Sequence, residues 1–194
     1  MEGVQTMKLV NTGVYLDRIR DLDGPDVTCC RKYFKNMKQV YETPAGMDEE
    51  TLMYTVYNDG RAVSEENGSL RFGLMVMEPV LVNGECNMTR GHFHADPHCD
   101  EYYVGIKGEG ILLYMDRDGK TWGEKVYPGS VHYINGQYAH RLVNTGVEKF
   151  SVGCVWPAKA GHDYEAVEQR EFAVRIYRQL PAAEAAGLKE HGCT

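Results

Sequence analysis

No run of apolar residues in this chain of 194 exceeds five, Ile111 to Met115, where a membrane span needs roughly 20. No transmembrane helix is expected. The opening residues Met1 to Thr6 offer neither a basic start nor an apolar stretch, so no secretory signal is expected either. Basic charge is also scarce: 21 Lys and Arg against 28 Asp and Glu leave a formal net charge of -7. That balance lacks the basic stripe by which a nucleic-acid binder neutralises phosphates. The six cysteines, Cys29, Cys30, Cys86, Cys99, Cys154 and Cys193, form no C-x-x-C pair. They are too sparse for a disulfide scaffold and point to a reduced, cytoplasmic location. Internal repeats and low-complexity linkers are missing as well. What is present, 43% hydrophobic and 25% charged residues, is the ordinary composition of one compact domain with a real core.

Short alternating segments between glycine and proline turns dominate the middle of the chain. Ser69 to Met77 reads as a strand stopped by Pro79. Tyr102 to Met115 is a β-rich stretch interrupted by glycine, and the Asp118-Gly119 turn before Lys120-Thr121-Trp122 predicts a hairpin. Pro128-Gly129 and Asn135-Gly136 bracket Val131 to Ile134, and Leu142 to Val155 resumes with β-branched residues. This spacing predicts a mainly β sandwich or barrel. The flanks differ: 31–39 and 47–53 read as short helices or mixed coil, 181–190 as a terminal helix, and Glu171 to Tyr177 as one more strand.

The densest chemistry lies between Gly91 and Glu101. His92 and His94 are two apart, so on a strand both imidazoles face one side. Glu101 follows His94 by seven, an odd interval, but Pro97 breaks the strand and lets a loop return the carboxylate to that side. A fourth ligand has to come from a distant strand, and His140, after the Asn135-Gly136 turn, is the best candidate. A lone histidine is more often a surface or hydrogen-bonded core residue; His98 and His132 are read that way, and His191 in the tail carries no signal. The combination of H-x-H, a later carboxylate and a histidine after a turn is what points to a metal.

These residues resemble the cupin superfamily. His92, His94, Glu101 and Gly108 match its first motif; Gly123, Pro128-x-Ser130 and His140-x3-Asn144 match its second, with serine for the second motif's glycine. The detail is closest to one branch, the cupin-type phosphoglucose isomerases. Thr89-Arg90-Gly91-His92-Phe93-His94 matches that branch's T-x-G-H-x-H, and His94 and Glu101 match its H-x6-E spacing. Further matches are Glu101-x-Tyr103, Ala139-His140-Arg141-x-Val143-Asn144, and Pro157-Ala158-x-Ala160-Gly161-His162-Asp163-Tyr164, with Val56-Tyr57 and Leu70-x-Phe72 upstream. The likeness covers residues 31–178. Three positions depart from the branch: Met75 stands where it has a threonine, Trp156 where it has a tyrosine, and Asn135-Gly136-Gln137-Tyr138 where it has Pro-Pro-x-Trp.

The resemblance implies a cupin double-stranded β-helix, a jelly-roll barrel with short flanking helices. One domain would span 1–194, with an N-terminal arm at 1–54, a barrel core at about 55–178 and a tail at 179–194. It implies one divalent transition metal held by His92, His94, Glu101 and His140, with Fe²⁺ foremost and Mn²⁺, Ni²⁺ or Zn²⁺ as alternatives, and a homodimer. It also implies a sugar phosphate as substrate, with glucose 6-phosphate and fructose 6-phosphate interconverted. Catalytic roles fall to Glu101, Tyr103 and His162. Substrate contacts fall to Tyr57, Thr89, Gly91, Tyr103, Trp156, His162 and Tyr164.

Three imidazoles and one carboxylate leave two positions of an octahedral ion open, enough for the adjacent C1 and C2 oxygens of an open-chain sugar. Whether the hydrogen then moves as a proton through Glu101 or as a hydride stays open at this level. So does the sugar, since Met75 and Trp156 also suit a C6 sulfonate such as sulfoquinovose. Metal-dependent oxygen chemistry and a non-catalytic sugar-binding cupin are the rival classes.

Overall fold

The structure is a computed structural model and describes residues 15–17, 21–62, 64 and 68–178. Its strands are β1 Tyr15–Asp17, β2 Asp21–Asp23, β3 Val27–Tyr33, β4 Leu52–Asp59, β5 Leu70–Met77, β6 Leu81–Val82 and β7 Glu85–Cys86. They continue as β8 Glu101–Lys107, β9 Gly110–Met115, β10 Thr121–Val126, β11 Val131–Ile134, β12 Ala139–Asn144 and β13 Phe150–Pro157, and one short helix, α1, covers Glu165–Gln169.

Two antiparallel sheets make the double-stranded β-helix. The larger has six strands in the order β11-β8-β13-β5-β4-β3, and the smaller has three, β10-β9-β12. Alternation drives the assembly: β8 buries Glu101, Tyr103 and Gly105 on one face and leaves Tyr102 and Ile106 outside. The faces turned inward meet in one core. Leu112 on β9 and Leu142 on β12 are cross-strand partners, and both are packed with Met53, Met77, Phe150 and Val152 from the other sheet. The six-stranded sheet is covered on part of its outer face too, where Leu22 of β2 packs with Leu74, Val76, Tyr57 and Phe72.

The hairpin predicted at Asp118-Gly119 joins β9 to β10 in continuous register from Met115↔Thr121 to Gly110↔Val126. The glycine interruption in 102–115 is a change of sheet: β8 ends at Lys107, and the chain passes Gly108 and enters the smaller sheet as β9.

The flanks depart from expectation. Residues 31–33 finish β3, and only 34–36 and 38–40 are helical, as single 3-10 turns. The stretch 47–51 is turns and bends leading into β4, with no helix. The strand expected at 171–177 reduces to one bridge, Tyr177↔Glu85. That bridge is held by Cys86 N–H to the Ile176 carbonyl at 2.8 Å and Arg178 N–H to the Gly84 carbonyl at 2.9 Å, while Ala173 N–H donates to Thr121 Oγ1 at 3.1 Å. The helix expected at 181–190 lies outside the described residues. Sequence reading also missed α1, whose only buried residue is Val167. Among the described residues no helix is long and apolar enough to cross a membrane.

Candidate metal centre

His92 and His140 form an isolated antiparallel bridge. His92 N–H donates to the His140 carbonyl at 3.3 Å and His140 N–H to the His92 carbonyl at 3.0 Å. Residues paired in this way carry their side chains on the same face, and the two rings lie 4.4 Å apart. His92 and His94 therefore sit on an extended segment held by single bridges, not on a strand as expected, yet the two-residue spacing still aligns them: their rings are 5.7 Å apart.

The loop after His94 does what Pro97 predicts. Asp96 caps it, accepting from His98 N–H at 3.0 Å through its side chain and from Cys99 N–H at 3.1 Å through its carbonyl. Asp100 anchors its end, accepting from Tyr133 Oη at 2.6 Å and Gly136 N–H at 3.0 Å. Glu101 then opens β8 pointing back at the histidines. His94 Nε2 lies 3.2 Å and His140 Nε2 3.3 Å from Glu101 Oε2. One donor atom from each of His92, His94, Glu101 and His140 falls within 4.8 Å of all the others.

The donor set fits a divalent ion. His94 Nδ1 is bonded to the Cys99 carbonyl, so it carries the proton and leaves the Nε2 lone pair facing a carboxylate. His140 Nε2 is buried without a hydrogen-bond partner, its angle to Glu101 being unfavourable. Two acceptors opposed at such distances need a proton or a metal cation between them, and an ion at this point meets all four donors at once. With metal–ligand bonds of about 2.1 Å, neighbouring donors of an octahedron stand about 3 Å apart, close to the spacings found.

The electrostatics of His92 and Glu101 agree. Burial, then the imidazoles of His140, His162 and His94, hold His92 well below its ordinary pKa and keep it neutral. Burial pushes the Glu101 carboxyl up, but His140 and His94 outweigh it and keep the carboxylate ionised. For His94, burial works against the charged form, whereas Glu101 and the Cys99 carbonyl raise its pKa above normal.

These groups line a cavity of about 260 Å³. Tyr103 lies two residues past Glu101 on the same face, its ring 5.7 Å from that of His140, with its phenol pushed well above the normal range by burial and by Glu101. His162, which is exposed, and Tyr164 stack at 5.5 Å, with His162 4.4 Å from His92. Thr89, Gly91 and Trp156 line the wall, as does Met75. The Trp156 indole lies against Gly73, where a Cβ would meet the ring at 3.1 Å.

Tyr57 is a correction. It faces the outer surface of the sheet and packs beside Leu22 and Leu74. Strand parity gives the cavity to Tyr54, Val56 and Asn58 instead. Lys32, Tyr54 and Arg90 are cavity residues that sequence reading missed. Lys32 is the cross-strand partner of Tyr54 and has no ion pair among the described residues, whereas Arg90 pairs with Glu168 and stacks 4.4 Å over Tyr164. The signal for Lys32 was a basic residue in a segment that register alone turns into a strand. His98 is exposed on the loop, and His132 is bonded to Glu124 and Ser130. Neither joins the centre.

Comparison with known proteins gives one consistent result. The family model described as glucose-6-phosphate isomerase matches residues 31–180. The chain is 39% identical over 127 residues to a glucose-6-phosphate isomerase of Thermococcus kodakarensis, covering 66% of each. It is 37% identical over 131 residues to that of Thermococcus onnurineus, covering 68% of each. A putative glucose-6-phosphate isomerase 1 of Rhizobium meliloti is 31% identical over 156 residues, 80% of this chain and 68% of that protein. The chain thus spans about two thirds of the length of these relatives.

Proposed function

Since the chain belongs to the glucose-6-phosphate isomerase family, we propose that it is a metal-dependent aldose–ketose isomerase interconverting glucose 6-phosphate and fructose 6-phosphate. The observation that carries the reading is the convergence of His92, His94, Glu101 and His140 on a cavity that Tyr103 also lines. A divalent ion held there supplies Lewis-acid polarisation of the substrate's C1 and C2 oxygens.

The chain's own groups do the rest. Glu101 Oε2 faces His94 and His140, and no hydrogen bond among the described residues engages Oε1, so that oxygen is the group that holds or moves a proton between C1 and C2. Tyr103 keeps its proton and donates it to a sugar oxygen. His162 and Tyr164 orient the sugar chain. At the far end Thr89 accepts from Leu142 N–H at 3.1 Å, which leaves its own hydroxyl proton for an anion, and Lys32 supplies a positive charge.

The reading includes Fe²⁺ as the resident ion, since the borderline donor set suits it, and a cytoplasmic homodimer. The exposed Tyr102, Val131 and Tyr133 on the outer face of β8 and β11 support pairing of two copies. A coupled assay on protein loaded with Fe²⁺ or Mn²⁺ tests the activity. Turnover of fructose 6-phosphate is expected, and its absence under both ions removes the proposal. Met75 and Trp156 on the cavity wall favour one second reading, a sugar bearing a C6 sulfonate such as sulfoquinovose. Competing the two sugars in one assay separates them.

A further inference from the structure

Arg141 is a cation 8% exposed that forms no ion pair among the described residues. It follows His140 on β12 and so projects to the opposite side, where its guanidinium lies 4.6 Å from the Phe172 ring. Its Nη1 reaches only the Met88 sulfur, at 3.4 Å, and its Nε is buried without a partner. The one strong bond it makes is from Nη2 to the Arg90 carbonyl, at 2.6 Å. Burial pulls its pKa down, to about 10, which leaves it charged at neutral pH.

A bond to that carbonyl has a consequence on the other side of the same peptide. The described chain has no cis peptide, so the Gly91 N–H points opposite to the Arg90 C=O. Gly91 is buried and lines the cavity, and no hydrogen bond among the described residues takes up its N–H. Its φ is +76°, and a Cβ there would meet Phe172 at 2.9 Å and Arg141 Nε at 3.2 Å. Glycine is thus required both by the backbone conformation and by the close approach of the arginine. An unpartnered buried donor is costly unless something in the cavity accepts it.

We infer that Arg141 is the positioning residue of the anion end: it grips the Arg90 carbonyl, turns the Gly91 N–H into the cavity, and leaves its unneutralised charge behind that peptide. The ligand class is a tetrahedral oxyanion at the sugar's C6. This rests on the proposed reading of the cavity as a site for a C6-anionic hexose. Arg141 never touches the sugar; it acts through the backbone and through its field.

The test uses metal-loaded protein with inorganic phosphate and sorbitol as probes, one anionic and one neutral. Arg141→Lys keeps the charge but loses the planar fork that spans Arg90 and Met88. With metal content and melting temperature near those of the parent, it should bind phosphate at least tenfold more weakly and bind sorbitol unchanged. KM for fructose 6-phosphate should rise by a similar factor while kcat moves little. A folded, loaded variant with parental phosphate affinity overturns the inference, as does one that loses both probes alike. Should Arg141→Lys fail to fold, Zn²⁺-loaded wild-type protein labelled with ¹⁵N-glycine decides. The Gly91 amide proton should move downfield with phosphate and stay in place with sorbitol, and a Gly91 signal indifferent to phosphate refutes the idea. If loaded wild-type protein turns over no fructose 6-phosphate, the isomerase reading falls alone, and the phosphate titrations still judge Arg141.

Discussion

His92 and His140 are 48 residues apart in the chain, yet each donates its backbone N–H to the other's carbonyl, at 3.3 and 3.0 Å. That reciprocal pair ties the extended segment after Gly91 to β12 and sets two imidazoles on one face before any ion arrives. The remaining donors approach from either side of a six-residue loop, His94 ahead of it and Glu101 behind it. The frame of this four-residue cluster is therefore fixed by backbone hydrogen bonds, and side-chain substitutions within it should remove donors without unmaking that frame.

Glu101→Gln keeps the shape and removes the charge that faces His94 and His140. Metal bound per chain should fall, and turnover should drop by more than the roughly 10- to 100-fold that loss of an outer-shell partner costs. Elemental analysis beside the isomerase assay checks it, with His140→Ala expected to behave alike.

Removing the ion should soften the whole molecule, because Glu101 belongs to the larger sheet and His140 to the smaller. At free metal about 100 times Kd the linkage is about 2.7 kcal/mol, which for a domain of this size is a melting shift of roughly 5–10 °C. Calorimetry before and after chelation, then on re-addition of Mn²⁺, should show the loss and its recovery.

Lys32→Gln should raise KM for fructose 6-phosphate about 10- to 100-fold, the worth of one hydrogen bond to a charged group, with kcat largely kept. Lys32→Arg should restore most of it. Steady-state kinetics at low ionic strength reads the effect, and the gap between the variants should narrow as salt is added.

Arg175 and Glu85 predict a purely structural loss. Glu85 is 1% exposed and is held by Arg175 Nη1 at 2.8 Å and by Glu42 N–H at 3.0 Å. Arg175→Met strands that carboxylate and should cost about 3 kcal/mol, read by urea unfolding. Glu85→Gln on the same background should recover part of it.

The sequence made the cluster of His92, His94, Glu101 and His140 legible because its members sit at spacings that strand geometry and one proline explain. The turn at Asp118-Gly119 was legible for the same local reason. What it hid depends on which strand pairs with which. In Tyr54-Thr55-Val56-Tyr57 the odd interval puts the two tyrosines on opposite faces of a strand, but only the packing of β4 between Leu22 and the cavity shows which of them faces inward. Lys32 was hidden because 31–39 reads as helix or coil until β4 arrives to pair with 31–33. Glu171 to Tyr177 alternates like a strand, but among the described residues it pairs at the single bridge Tyr177↔Glu85, and Ala173 N–H goes to the Thr121 hydroxyl, not to a neighbouring strand. Arg141 was visible as part of a motif, yet its grip on the Arg90 carbonyl exists only once β12 lies behind Gly91.

On β4 and β5 the residues Tyr57 and Val76 turn outward and pack with Leu22 of β2, while their neighbours Val56 and Met75 wall the cavity. Folding and recognition are thus written on alternate letters of the same words. A lineage can rewrite one set and keep the other, so a new sugar can be acquired by swaps at every second position of two strands, with the catalytic end and the scaffold inherited intact.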